Sequence, residues 1–142
     1  MDAGSRRIVL ISCTSKKRSR RSKARNLYAS PLFEMSISYA QKLQPDYIGI
    51  LSAKYGLLDL DTEIEPYNLT VVGMSAGQRR GWAMQVLGQL RSRFDLDRDL
   101  FVFLAGARYR EYLMPYIKYC EIPFEGLPIG KQLQALKRLL HE

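Results

Sequence analysis

A chain of 142 residues, 46% hydrophobic and 25% charged, has the size and composition of one soluble globular domain. Its net charge of +8 points to an anionic partner, while a single histidine (His141) and two cysteines (Cys13, Cys120) leave no basis for a zinc cluster, a disulfide framework or histidine general-base chemistry. No apolar run approaches the roughly 20 residues that span a bilayer, and IVLIS behind Arg6 and Arg7 is too brief for a signal segment, so a cytoplasmic protein without membrane contact is expected.

In chain order, RIVLIS (7–12) reads as a strand covered on both faces, being almost continuously apolar. KKRSRRSKAR (16–25) follows, with seven cations in ten positions and no acid. Lys16, Lys17, Arg18, Arg20, Arg21, Lys23 and Arg25 suit a polyanion, because each neutralised phosphate releases counterions. Ser30 and Pro31 open a helix with Leu32, Phe33, Ile37, Ala40 and Leu43 on its apolar face. YIGILS (47–52) is a second strand. Ser75 and Gln78 form a capping box for a helix striped by Trp82, Val86, Leu87 and Leu90. LFVFLA (100–105) and YCEIP (119–123) are further strands, Ala107 to Ile117 a short third helix, and Gly130 to Leu140 a fourth. The alternation predicts a single three-layer α/β domain over 1–142, its mostly parallel sheet covered by helices on both faces, with a basic loop at 16–25.

That architecture places ligands outside the carboxyl ends of the strands. The loops expected there are SCTSKKRSRRSK, SAKYGLLDLDTEIEPYN, GARYRE and PFEGLPIG. Ser12, Thr14 and Lys16 in the first offer hydroxyls, an ammonium group and backbone amides to an oxyanion, without the glycines of a P-loop. Cys13, with no histidine to activate it, reads as a small buried apolar residue.

In the second loop acids fall on alternate positions: Asp59, Asp61, Glu63 and Glu65. If 58–65 is extended, they share one face about 7 Å apart. Two readings stand. One carboxylate is catalytic, Glu63 or Glu65 ahead of Asp61, because Pro66, Tyr67 and Asn68 fix the chain beside them; or the set is a solvated edge that discourages aggregation. Ser52, Tyr55, Tyr67 and Asn68 are candidate substrate contacts. Tyr109 and Tyr112 add aromatic surface for stacking on bases, and Arg108 and Arg110 are candidate phosphate contacts.

The segment ILSAKYGLLDLDTEIEPYNLT resembles the YaaA peroxide-stress proteins, whose corresponding segment reads in outline L-S-x-x-Y-G-L-L-x-x-x-D-x-I-x-P-Y-x-L. ISCTSKK is similar to that family's opening I-S-P-A-K and, more loosely, to the P-C-S-x-x-K-P-Y segment of archaeosine synthases. Ser12, Lys16, Ser52, Tyr55, Gly56, Glu63, Pro66 and Tyr67 are the matching positions. YaaA proteins bind DNA and the wider group works on nucleic-acid bases, so the resemblance implies a nucleic-acid partner, DNA ahead of RNA, in a stress or defence setting.

The leading expectation is a DNA glycosylase that breaks an N-glycosidic bond without metal or other cofactor. A carboxylate would stabilise the oxocarbenium-like sugar, cations would hold flanking phosphates, and aromatics would receive a flipped base. The alternatives are a magnesium-dependent nuclease or base-modifying transferase using the same acids, and a non-catalytic DNA-binding protein.

Overall fold

A computed structural model describes residues 5–14 and 17–141. Four strands run parallel, β1 (Arg7–Ser12), β3 (Tyr47–Ser52), β6 (Leu100–Leu104) and β7 (Tyr119–Glu121), and β4 (Gly56–Asp59) adds an antiparallel edge beside β3. The order across the sheet is β4-β3-β1-β6-β7. Strands with neighbours on both edges and helices on both faces have no wet side, which is why Ile8, Val9, Leu10 and Ile11 of β1 and Phe101, Val102 and Phe103 of β6 are all buried.

Two helices carry the crossovers. α2 (Pro31–Lys42) starts where the Ser30 hydroxyl accepts the Phe33 N–H at 3.1 Å, and α3 (Ala76–Arg91) starts at the reciprocal Ser75–Gln78 capping box. From β1 the chain moves one way to β3, and from β3 it returns across β1 to β6. Right-handed crossovers in opposite directions place α2 and α3 on opposite faces. The final helix, α5 (Ile129–Leu140), packs on α2, and the single turn α4 (Ala107–Arg110) packs beside α3. The chain is thus a single small α/β domain.

Three details differ from the sequence reading. The helix expected over Ala107–Ile117 is broken into α4, an irregular turn and a 3-10 turn at Met114–Tyr116. Pro115 supplies no N–H and disfavours helical backbone at Met114. The last strand stops at Glu121, two residues short of Pro123. Residues 58–65 are not one extended segment, because the chain turns after β4, with Thr62 N–H on the Asp59 carbonyl at 3.3 Å. It resumes as β5 (Glu63–Ile64), which pairs antiparallel with β2 (Ser22–Lys23) just before the short helix α1 (Ala24–Leu27). The acids therefore do not share one face: Asp59 stays on the sheet edge, Asp61 lies in the turn, Glu63 belongs to β5 and Glu65 follows it.

Gly56 begins β4 with φ +73°, and a Cβ there would stand 2.3 Å from Gln89 Oε1. The Gln89 amide is itself committed, accepting the Leu57 N–H at 2.8 Å and donating to the Tyr55 carbonyl at 3.3 Å. Gly56→Ala combines backbone strain with displacement of that side chain, and should lower stability by about 1–3 kcal/mol, read as a lower urea midpoint at unchanged slope.

Candidate functional site

The carboxyl ends of β1 and β6 are where the crossovers part, the topological switch point of an open α/β sheet. A cavity of about 480 Å³ opens there. Its floor is Ile11–Thr14 and Phe103–Ala107, its apolar walls include Phe33 and Phe124, and Ser36, Arg110, Glu125 and Gln132 add polar groups. A larger hollow of about 910 Å³ lies at the amino ends of the strands, lined by Arg6, Arg7, Asp46, Arg98 and Lys118. The smaller cavity is the candidate site, because only there do the strand-to-helix loops converge.

Arg110 enters the cavity from α4. Its Nε donates to the Ala105 carbonyl at 3.2 Å, and Nη1 lies 3.8 Å from Glu125 Oε2. The guanidinium is thus held by one end, and Nη2 has no hydrogen bond among the described residues. Glu125 is an exposed carboxylate on the rim. The two together set a cationic donor beside an anionic acceptor.

Cys13 ties the cavity to a second cluster. Its N–H donates to the Leu51 carbonyl at 3.0 Å, and the Tyr109 hydroxyl lies 3.3 Å from both its Sγ and its carbonyl oxygen. Next to it, the buried Ser52 Oγ accepts N–H groups from Lys54 at 3.3 Å and Tyr55 at 3.1 Å. Both lone pairs are then engaged, so the Ser52 hydrogen points to the Tyr67 hydroxyl, 2.7 Å away. Tyr67 in turn donates to the Tyr28 hydroxyl at 2.7 Å. Trp82 Nε1 closes the cluster on the Ser52 carbonyl at 2.8 Å.

Burial pushes the Tyr28 phenol up to about 12, and burial likewise raises Tyr67 and Tyr109. All three therefore remain protonated donors at neutral pH. The Lys17 ammonium rests 4.4 Å from the Tyr67 ring centroid, a cation–π contact, and burial lowers its pKa against the pull of nearby Cys13. Tyr55 meets the Tyr67 ring edge-on at 5.7 Å.

The charged residues singled out from sequence mostly meet one another. Across the two-residue β2–β5 ladder Lys23 stands opposite Glu63, and ion pairs flank it on either side. Arg21 Nη1 lies 3.2 Å from Glu65 Oε1. Arg25 Nε is 2.8 Å from Asp61 Oδ1, close in distance but without hydrogen-bond alignment. Arg18 and Arg20 are exposed and have no ion pair among the described residues. Asp59 is separate: Arg93 Nη1 reaches it at 2.8 Å and the Tyr47 hydroxyl also donates to it. Asp61, Glu63 and Glu65 do not line the cavity, whereas Ser12, Thr14 and Arg110 do. Ser52 and Tyr67 belong to the adjoining hydroxyl cluster with Tyr28, and Tyr55 joins it through its N–H and its ring. Asn68 is exposed, Arg108 lies 3.8 Å from Glu111 Oε1, and Lys16 falls outside the described residues. Ser36, Glu125 and Gln132 also line the cavity without a site signal in the sequence, where Phe33 reads only as part of a helix's apolar face. For Glu125 the only hint is its place in the last strand-to-helix loop.

Among the described residues no three His, Cys, Asp or Glu side chains gather as a metal-binding group, and no helix is long and apolar enough to cross a membrane.

Tyr67→Phe removes the hydroxyl that joins Ser52 to Tyr28 and leaves two buried polar groups short of a partner. Its expected cost is about 1–3 kcal/mol in chemical denaturation. The Tyr47 and Arg93 hydrogen bonds hold the Asp59 carboxyl below its ordinary value. A depressed carboxyl contributes stability above its unfolded pKa and loses it as pH falls through the folded one. Asp59→Asn should therefore flatten the decline in stability below about pH 4, where wild-type protein loses this contribution.

No curated protein and no solved structure matches the chain significantly. Residues 8–138, from the second residue of β1 to within α5, match the family of unknown function DUF6884, and the chain belongs to that family.

Proposed function

We propose that this protein acts on a base of a nucleic acid, DNA ahead of RNA, and breaks its N-glycosidic bond with the base held in the switch-point cavity. The observation that carries this reading is the cavity itself: about 480 Å³, walled by Phe33 and Phe124, and supplied with hydroxyls, a guanidinium and a carboxylate. Apolar walls with a few placed polar groups suit a flat heterocycle. The basic run leaves the same loop that forms the cavity floor, which suits a base whose flanking phosphates stay outside. Ser52, Tyr55 and Tyr67, which carry much of the resemblance to YaaA proteins, gather within one residue's reach of Cys13 on that floor, and this adds support.

In the reaction the bond from C1′ to the base nitrogen breaks with its electron pair going to the base. Water adds through oxygen to C1′, and the proton released by water balances the charge on the departing base. Glu125 is the cavity's own carboxylate and would stabilise the positive sugar or orient the water. Arg110 Nη2 would donate to the base as negative charge develops on it.

The test is incubation with DNA carrying modified and unmodified bases in the presence of chelator, followed by assay of free base and alkali-labile sites. Wild type should yield both. Glu125→Gln should lower turnover by about 10²–10³-fold with DNA affinity kept. If Glu125→Gln keeps full rate while Glu63→Gln or Glu65→Gln abolishes it, the reacting carboxylate comes from the ribbon. DNA binding with no base release would leave a binding protein.

A further inference from the structure

We propose that the β2–β5 ribbon is a phosphate-binding edge held in a self-screened state, in which Asp61, Glu63 and Glu65 occupy the places that nucleic-acid phosphates take on binding. The inference rests on the nucleic-acid reading above and adds to it the surface that holds the strand and the device that tunes its affinity.

The pairing carries the argument. Within the ladder Lys23 stands opposite Glu63. Just beyond it Arg21 lies 3.2 Å from Glu65, and on the other side Arg25, at the start of α1, lies 2.8 Å from Asp61 in the turn that precedes β5. Alternate side chains of an extended segment project to the same side, about 7 Å apart. Glu63 and Glu65 thus project to one side with a spacing like that of successive phosphates on a strand, with Lys23 and Arg21 against them, and the Arg25–Asp61 pair adds a third charge of each sign at the end of the ribbon.

These pairs are not a buried lock. Arg21 and Glu65 are 56% and 59% exposed, and Asp61 is 63% exposed. Exposed ion pairs are weak and screened by salt, so a polyanion can take over the cations while the carboxylates turn to water. The backbone holds the row in place regardless: Ala24 N–H donates to the Thr62 carbonyl and Arg25 N–H to the Leu60 carbonyl, each at 2.8 Å. Arg18 and Arg20, exposed and without ion pairs among the described residues, precede these cations in the chain and offer the first contact.

The experiment compares wild-type protein with the triple variant Asp61→Asn, Glu63→Gln, Glu65→Gln by fluorescence anisotropy on labelled single-stranded and duplex DNA between about 50 and 200 mM salt. A freed cation adds about 0.9 to the slope of log affinity against log salt on duplex, so the triple variant should be steeper by about 2–3. At the low-salt end it should bind about tenfold tighter or more. Glu65→Gln alone, which leaves the ladder intact, should steepen the slope by about 1 and guards against loss of the ribbon's fold. A control variant removes the same charge elsewhere, through Glu34→Gln, Asp97→Asn and Glu121→Gln, at exposed acids without ion pairs among the described residues.

Equal gains in the ribbon and control variants would reduce the effect to net charge and overturn the screen. So would an unchanged slope in both ribbon variants while wild type binds DNA, and in that case the nucleic-acid reading survives. If neither wild type nor the triple variant binds DNA, both fall together.

Discussion

Because β1 is hydrogen-bonded to β3 on one edge and β6 on the other, everything that leaves its carboxyl end has to pass between two diverging crossovers. α2 carries the chain to one side and α3 carries it back on the opposite face. The loop beginning at Cys13 stands where neither helix covers the sheet. The cavity follows from that strand order and requires no special residue of its own to exist. The sequence then furnishes it: small residues at Ala105–Ala107 leave the space open, and aromatic side chains from α2 and the β7–α5 loop wall it.

The same central strand explains why one face of the loop is so closely bonded to its neighbours. Cys13 is stitched to β3 through Leu51 and to α4 through Tyr109, and Ser52 at the end of β3 orders two tyrosines behind it. With both Ser52 lone pairs engaged, the hydroxyl chain has only one orientation, from Ser52 to Tyr67 to Tyr28. Raised phenol pKa values keep that orientation over the neutral range. A buried, directed chain of this kind braces the cavity floor beneath the Arg110 guanidinium and the Glu125 carboxylate.

The central strands were legible because long, unbroken apolar runs have few alternatives, and α2 and α3 because serine caps and Pro31 mark their starts. Elements of two to four residues leave no period to read, so β2, β4, β5 and α1 escaped, and Pro115 divided a helix whose apolar spacing otherwise looked continuous. The charge ribbon left a signal in the sequence: cations at 21, 23 and 25 and acids at 61, 63 and 65 share one alternation. Each row could be read alone, but that the two mate is a matter of non-local pairing. Glu125 gave no signal beyond its loop, since a lone acid gains its setting only when α4 delivers Arg110 beside it.

The two groups of acids answer to different physics. Those in and beside the ribbon sit in water against cations, a setting in which charge changes affinity and salt response more than it changes a barrier. Glu125 stands at the rim of a partly apolar cavity, where water is displaced once a ligand enters and a single charge acts through a lower effective dielectric. A carboxylate acts more strongly on a nearby charge in the second setting. The +8 chain thus sets three of its acids against its own cations in the ribbon and one, Glu125, among the described residues that line the cavity, and the pairing along the ribbon keeps the first group from weakening the field that the second sets at the cavity.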